Sequence, residues 1–392
     1  MALKVDRKLG AAIIVPQIQR SRKHHRRRDL QVPRFHPLRF AFALIVAALS
    51  GSVVQAQGGL DRAALAVKEG QLVIYAATDY ELARALLDDF RLLHPGIRVD
   101  YQEISSRALY RRFLDEAKAG GVADVVWSSA MDLQVKLVND GHAQPHRSEE
   151  TDALPGWASW KNEAFGTSFE PVALVVNRAR LRAGDVPESH AALLRLMADP
   201  PEYLRGRIAT YDPARSGLGF LLHTQDVLAN PVVFWRLTEA FGRAGTRAYA
   251  STSEMLDRIA DGDALIGYNL LGSYAQVRAM QDERLAVVLP RDYTLVLSRV
   301  AFIARQAKHP NAARLWLDYL LSRRGQQLLA ANPGFYAVRE DVAGNEAAEQ
   351  LRRSLGGAFR PIPIGTGLLT HLDQIKRRDF LRQWHETIAP MP

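Results

Sequence analysis

Four short segments of this chain set hydroxyls, turn-forming residues and one guanidinium where helices are expected to begin. They are Thr78-Asp79-Tyr80-Glu81, Ser128-Ser129-Ala130-Met131-Asp132, Tyr211-Asp212-Pro213-Ala214-Arg215-Ser216-Gly217 and Tyr268-Asn269-Leu270-Leu271-Gly272-Ser273-Tyr274. Such residues do non-covalent chemistry: hydroxyls and the unpaired amides of a helix N-terminus donate to an anion, and an arginine neutralises it. Thr78 with Glu81, and Ser129 with Asp132, have the spacing of capping boxes. A cap alone is ordinary, but four of them after strands in two units would line a cleft. The candidate ligand contacts are therefore Thr78, Asp79, Ser128, Ser129, Arg215, Ser216, Gly217, Tyr268 and Asn269. Trp127, beside Ser128, is a candidate for packing near the same ligand.

Reactive chemistry has less support. The chain holds no cysteine, which excludes thiol catalysis, zinc ribbons and iron–sulfur clusters, and no cofactor is expected. No dinucleotide-type or phosphate-loop glycine motif occurs, no Gly-x-Ser-x-Gly elbow and no His-Glu-x-x-His. His94, His142, His146, His190, His223, His309, His371 and His385 are scattered. A secreted hydrolase would need one of them to meet a serine in space.

Strands and helices alternate around these segments. Leu72–Ala76, Ile97–Tyr101 and Ala123–Trp127 read as strands, separated by helical periodicities through Leu82, Leu86 and Phe90 and through Leu109 and Phe113. A helix follows over 131–139. A strand at 171–176 and helices near 187–198, 219–228, 231–243 and 252–261 form a second unit with strands at 207–210, 264–267 and 285–289. Strands at 294–297 and 300–303 and helices over 310–331 and 371–388 complete the chain. Repeated strand–helix units predict an α/β fold of two doubly wound, mostly parallel sheets. With no flexible linker between them, the halves are expected to be joined by strands that cross more than once.

The formal charge of +9 is unevenly placed. Residues 1–39 hold eleven Lys or Arg against Asp6 and Asp29, and 40–56 carry none, so 57–392 balances forty basic against forty acidic residues. The folded part is not a basic protein, which removes the main support for nucleic-acid binding. Phe40–Ser50 is a short apolar run after the basic stretch, and Val54-Gln55-Ala56 suits cleavage after Ala56. Residues 1–56 thus read as a secretory signal with a long basic n-region, implying export to the periplasm.

Leu72-Val-Ile-Tyr-Ala-Ala-Thr-Asp79, Ala123-Asp-Val-Val-Trp-Ser128 and Gly166-Thr-Ser-Phe-Glu-Pro171 resemble bacterial extracellular solute-binding proteins of family 1, in the branch of ferric, phosphonate and phosphoglycerate receptors. Ala312–Gln326 followed by Gly334-Phe-Tyr-Ala-Val-Arg339 strengthens the resemblance. It implies a type II periplasmic-binding-protein fold, with lobe 1 over 57–170, lobe 2 over 171–295, and a return to lobe 1 with C-terminal helices over 296–392. It further implies a monomer that closes about crossing strands near 169–173 and 293–299, and partners in the membrane subunits of an ABC importer. A sensor kinase is an alternative partner. The family's iron binders place a His after the first strand, an acid after the third and paired tyrosines in the second lobe. Here those places hold Thr78 or Asp79, Ser128-Ser129, and Tyr268-Asn269 with Ser273-Tyr274, so a small organic anion is expected ahead of Fe³⁺.

Overall fold

The computed structural model describes residues 62–389 apart from 122, 332–334 and 343–345. The expected leader, the start of the first lobe at 57 and Gly334 lie outside the described residues. No helix among the described residues is long and apolar enough to cross a membrane.

In chain order the strands are β1 (Gln71–Ala76), β2 (Arg98–Glu103), β3 (Val125–Ser128), β4 (Ser159–Trp160), β5 (Ala164–Gly166), β6 (Glu170–Asn177), β7 (Ile208–Tyr211), β8 (Arg247–Tyr249), β9 (Ile266–Leu271), β10 (Leu285–Val288), β11 (Thr294–Leu297), β12 (Val300–Ile303) and β13 (Phe359–Pro361). They form two sheets. The first runs β2-β1-β3-β12-β5-β4; the second runs β13-β11-β6-β9-β7-β8, with β10 also paired to β6. In the first sheet β1 is parallel to β2 and β3, and in the second β7 is parallel to β8 and β9. β12 and β6 run against their neighbours.

The short apolar runs become strands because both of their faces are covered. Leu72, Ile74 and Ala76 of β1 pack into one core and Val73 and Tyr75 into another. In β6, Leu174 and Val176 are divided from Ala173 and Val175 in the same way. Strands whose sheet is covered on both faces require this continuous apolar character, whichever way their neighbours run.

Some elements differ from their expected form. The helical run after Pro310 is two helices, Pro310–Leu321 and Arg323–Ala330, broken at Ser322, whose hydroxyl caps the second. Leu320 and Leu321 are fully buried there. β8 is short and half polar, so its sequence carries no strand pattern. β13 joins the second sheet, and the helix Gln374–Ile388 sets Phe380 and Trp384 against Phe220 and Phe234 of that lobe. The chain therefore crosses between the sheets a third time after Arg323–Ala330.

The first two crossings lie side by side. Residues 167–169 lead from β5 to β6, and Ser298-Arg299 leads from β11 back to β12. Thr167 donates its amide to the Arg299 carbonyl at 2.8 Å. The Arg299 amide donates to Ser168 Oγ at 2.9 Å. Arg299 is 1% exposed and Glu170 0%, and their ion pair binds the crossing strands through Nε–Oε1 at 3.0 Å and Nη2–Oε2 at 3.2 Å. Arg299 Nη1 also donates to Thr78 Oγ1 of the first lobe at 2.9 Å, while Ser273 of the second donates to Glu170 at 2.6 Å.

Candidate functional site: a cleft between the lobes

Six of the strands in parallel pairs each run into a helix. In the first lobe β1, β2 and β3 lead to Tyr80–Leu93, Ser106–Lys118 and Met131–Asn139; in the second β7, β8 and β9 lead to Gly217–Ala229, Thr252–Asp261 and Gly272–Gln281. All six turns contribute to the wall of one cavity of about 300 Å³. The first lobe supplies Ala77, Asp79, residues 103–107 and Ser129; the second supplies Tyr211, residues 215–218, 250–253, Leu271 and Tyr274. Arg299 reaches the wall from the hinge.

Helix starts face this space because α/β sheets point their helix N-termini beyond the carboxyl ends of parallel strands. The first amides of a helix have no partner within it. Ser216 and Ser251 each satisfy one, accepting from Gly219 at 3.0 Å and from Glu254 at 3.2 Å. The helix Ser106–Lys118 has no side-chain cap at all. Three starts with hydroxyls at 105–106, 216 and 251–253 therefore offer amides and hydroxyls to the same volume. Arg107, Arg215 and Arg299 add positive charge to it, and Asp79 and Glu103 add negative charge at the β1 and β2 turns. Burial, with help from Arg111, lowers the Arg107 pKa from its usual value. Burial alone would lower that of Arg299, but Glu170 and Tyr274 more than offset it and the pKa is raised.

Two bonds tie the lobes across the cleft. Tyr274 Oη donates to Asp79 Oδ1 at 2.7 Å, and the Arg107 guanidinium donates to the Ala214 carbonyl. Gly217 sits against Ser106, Ala130 and Leu133 of the other lobe, within 4.0 Å of where a Cβ would lie. The lobes are in contact along this line.

Of the residues singled out in the sequence, Asp79, Ser129, Arg215, Ser216 and Gly217 are on the cavity wall. Thr78 and Ser128 are one residue deeper and turned away. Thr78 is fully buried and accepts from Arg299 instead of capping a helix, where Asp79 takes the cap position without a side-chain bond. Ser128 Oγ accepts from the Ala130 amide at 3.2 Å. The box expected from Ser129 and Asp132 is absent, since Ala130 is the cap residue. Tyr268 and Asn269 lie within β9 and not after it. Asn269 has φ of 65°, the register against β6 shifts nearby, and both side chains turn into the second lobe to bond Asp226. Trp127 is fully buried and donates Nε1–H to Thr167 Oγ1 at 2.8 Å, a packing role.

Sequence reasoning passed over Glu103, Ser105, Arg107, Ser251 and Arg299, and placed Tyr274 in the last helix start without making it a contact. For Ser251 the obscuring factor was β8, which does not look like a strand. For Arg299 a signal existed: Ser298-Arg299 interrupts two apolar strands, and a charge in such a place is seldom buried without a partner. Among the described residues no group of three or more His, Cys, Asp or Glu is placed to hold a metal ion.

A family model described as bacterial extracellular solute-binding protein matches residues 72–335. The substrate-binding protein of an ABC transporter from Agrobacterium tumefaciens is 36% identical, with a TM-score of 0.77 over 81% of this chain and 94% of that one. The phosphoglycerate transport regulatory protein PgtC of Salmonella typhimurium is 25% identical over 279 residues, 69% of this chain but 66% of that protein's own length. The ferric binding protein of Campylobacter jejuni is 15% identical at a TM-score of 0.63, over 81% of this chain and 98% of that one, a likeness of fold alone. The architecture the solved structures share with this chain is the type II periplasmic-binding-protein fold.

Proposed function

Because this chain belongs to the bacterial extracellular solute-binding proteins, we propose that it captures a small organic anion between its lobes in the periplasm and presents the closed form to the membrane subunits of an ABC importer. The observation that carries this reading is the meeting of six strand-to-helix turns, three from each lobe, around one cavity with three arginines. Helix N-termini and guanidinium groups recognise phosphate, phosphonate or carboxylate oxygens without forming a bond to them. At about 300 Å³ the space is at the small end of ligand sites, about ten waters in volume, which suits a molecule the size of phosphoglycerate. Among the described residues no histidine is on the cavity wall.

Closure follows from the same geometry. Asp79, Ser129 and Arg107 belong to one lobe, and Arg215, Ser216 and Ser251 to the other. A ligand touching both favours the closed state by its differential affinity for it. The hinge is fastened by Glu170 and Arg299, and Arg299 also faces the cavity, so ligand charge and hinge geometry meet at one side chain.

A ferric reading has a poorer donor set. Fe³⁺ needs several anionic oxygens; the wall offers Asp79 and Glu103, its tyrosines are engaged, Tyr274 donating to Asp79 and Tyr211 bonded to Thr252, and three arginines oppose a cation. The name of the Salmonella relative supports a second reading, in which the loaded protein signals to a sensor kinase.

The test is thermal unfolding of the chain from residue 57 with 3-phosphoglycerate, inorganic phosphate, alkylphosphonates, citrate and Fe³⁺. An anion at a hundred times its Kd should add about 2.7 kcal/mol of stability, and Arg107→Ala and Arg215→Ala should each weaken it. Stabilisation by Fe³⁺ alone, with a visible tyrosinate band, would overturn the reading.

A further inference from the structure

A second cavity, about 240 Å³, lies on the other side of the Tyr274–Asp79 hydrogen bond. Asp79, Ser253 and Tyr274 belong to the walls of both cavities. That bonded pair, with Ser253 beside it, is thus interposed where the two spaces adjoin. The remaining wall has a different chemistry. Leu82 comes from the first lobe, and Leu256 and Val277 from the second, so both lobes contribute apolar surface. The ionic groups at its edge are already engaged: Glu81 pairs with Arg84 at 2.9 Å and Arg278 with Asp257 at 2.9 Å. Ser273 donates to the hinge carboxylate of Glu170. Ser253, in the opening turn of the helix Thr252–Asp261, is shared with the first cavity, and the arginine on this wall, Arg278, is the one paired with Asp257.

We propose that the two cavities are one binding cleft partitioned by Tyr274 and Asp79, and that the ligand is an organic anion carrying an uncharged aliphatic extension which occupies the second cavity. The proposal rests on the reading of the first cavity as an anion site. The anionic head is held by the amides, hydroxyls and arginines of the first cavity. The extension passes where one hydrogen bond now closes the cleft and lies against Leu82, Leu256 and Val277. The near-equal volumes require an extension comparable in size to the head. Lobe closure then covers apolar surface on the ligand as well as its charge, since Leu82 meets the extension only when the lobes are together.

The experiment is calorimetric titration of the chain from residue 57 with methylphosphonate and hexylphosphonate. Hexylphosphonate is expected to bind at least tenfold more tightly. Val277→Trp fills the second cavity from one lobe and Leu82→Trp from the other. Each should abolish the gain while leaving methylphosphonate affinity within twofold, thermal melts confirming that the variants fold. Equal affinity for both probes, or a gain that survives both variants, overturns the extended cleft and leaves the anion site standing. If neither phosphonate binds and Fe³⁺ does, the anion reading fails and the extension fails with it.

Discussion

At the hinge Glu170 is wholly buried, with both oxygens bonded to Arg299, Ser168 and Ser273. In the first lobe Asp132, in the opening turn of the helix Met131–Asn139, is 3% exposed and its Oδ1 meets no hydrogen-bond donor among the described residues. Burial is equal in the two regions; the partners are not. Arg299 sits on the strand that crosses beside Glu170, so the chain path delivers a cation to within bonding distance. Asp132 has backbone donors and the more distant charges of Arg107 and Arg377, which do not offset desolvation, and its pKa is raised to about 7. The Nη1 of Arg377 is likewise buried without a partner. A buried carboxylate is thus fully paired where its cation shares a crossing, and a group that titrates near neutrality where the cations stand off.

A third buried carboxylate falls between them. Asp226 in the second lobe has no cation bonded to it but accepts from Tyr268 Oη at 2.7 Å, Tyr293 Oη at 3.1 Å and the Asn269 amide. The pair expected to touch ligand serves this carboxylate instead.

The largest effect should come from Arg299→Ala, which strands Glu170: a loss of about 5 kcal/mol by urea unfolding at pH 7.5. A loss under about 1 kcal/mol would erase the contrast at the hinge. Next is Asp132. Its folded pKa is above the unfolded carboxylate value, so the folded state holds the proton more tightly. The stability this confers is complete below about pH 4 and is lost as the pH climbs to about 7, a change of about 4 kcal/mol. Asp132→Asn should flatten that slope and be the more stable form at pH 8; an unchanged pH profile would return Asp132 to an ordinary carboxylate. Smaller again, Tyr268→Phe should cost about 2 kcal/mol by leaving the buried Asp226 side chain short of one hydrogen-bond donor. It should leave anion affinity alone, and lost affinity with full stability would restore Tyr268 to the ligand site. Smallest, Ser216→Ala should cost about 1 kcal/mol through its helix cap, and its hydroxyl on the cavity wall should also show as weaker anion binding.

Apolar runs and turn residues made the strands β1, β3, β11 and β12 legible, together with the helices that follow β1 and β3. Where a strand was short and polar, as in β8, its turn and the hydroxyls at 251–253 were passed over. Tyr268 and Asn269 were misjudged because β9 continues to Leu271, two residues past the pair, and the positive φ of Asn269 redirects the side chains there.

From composition and periodicity alone came the alternating α/β architecture, the neutral charge balance after residue 56 and the run of polar helix starts, all consequences of what neighbouring residues can do. Which hydroxyls face the cleft was decided by the tertiary structure. Thr78 is drawn inward by an arginine far along the chain, and the cation of Glu170 and the donors to Asp226 come from other elements. A carboxylate's charge depends on the donors and dielectric around it, and those are arranged only when distant segments pack together.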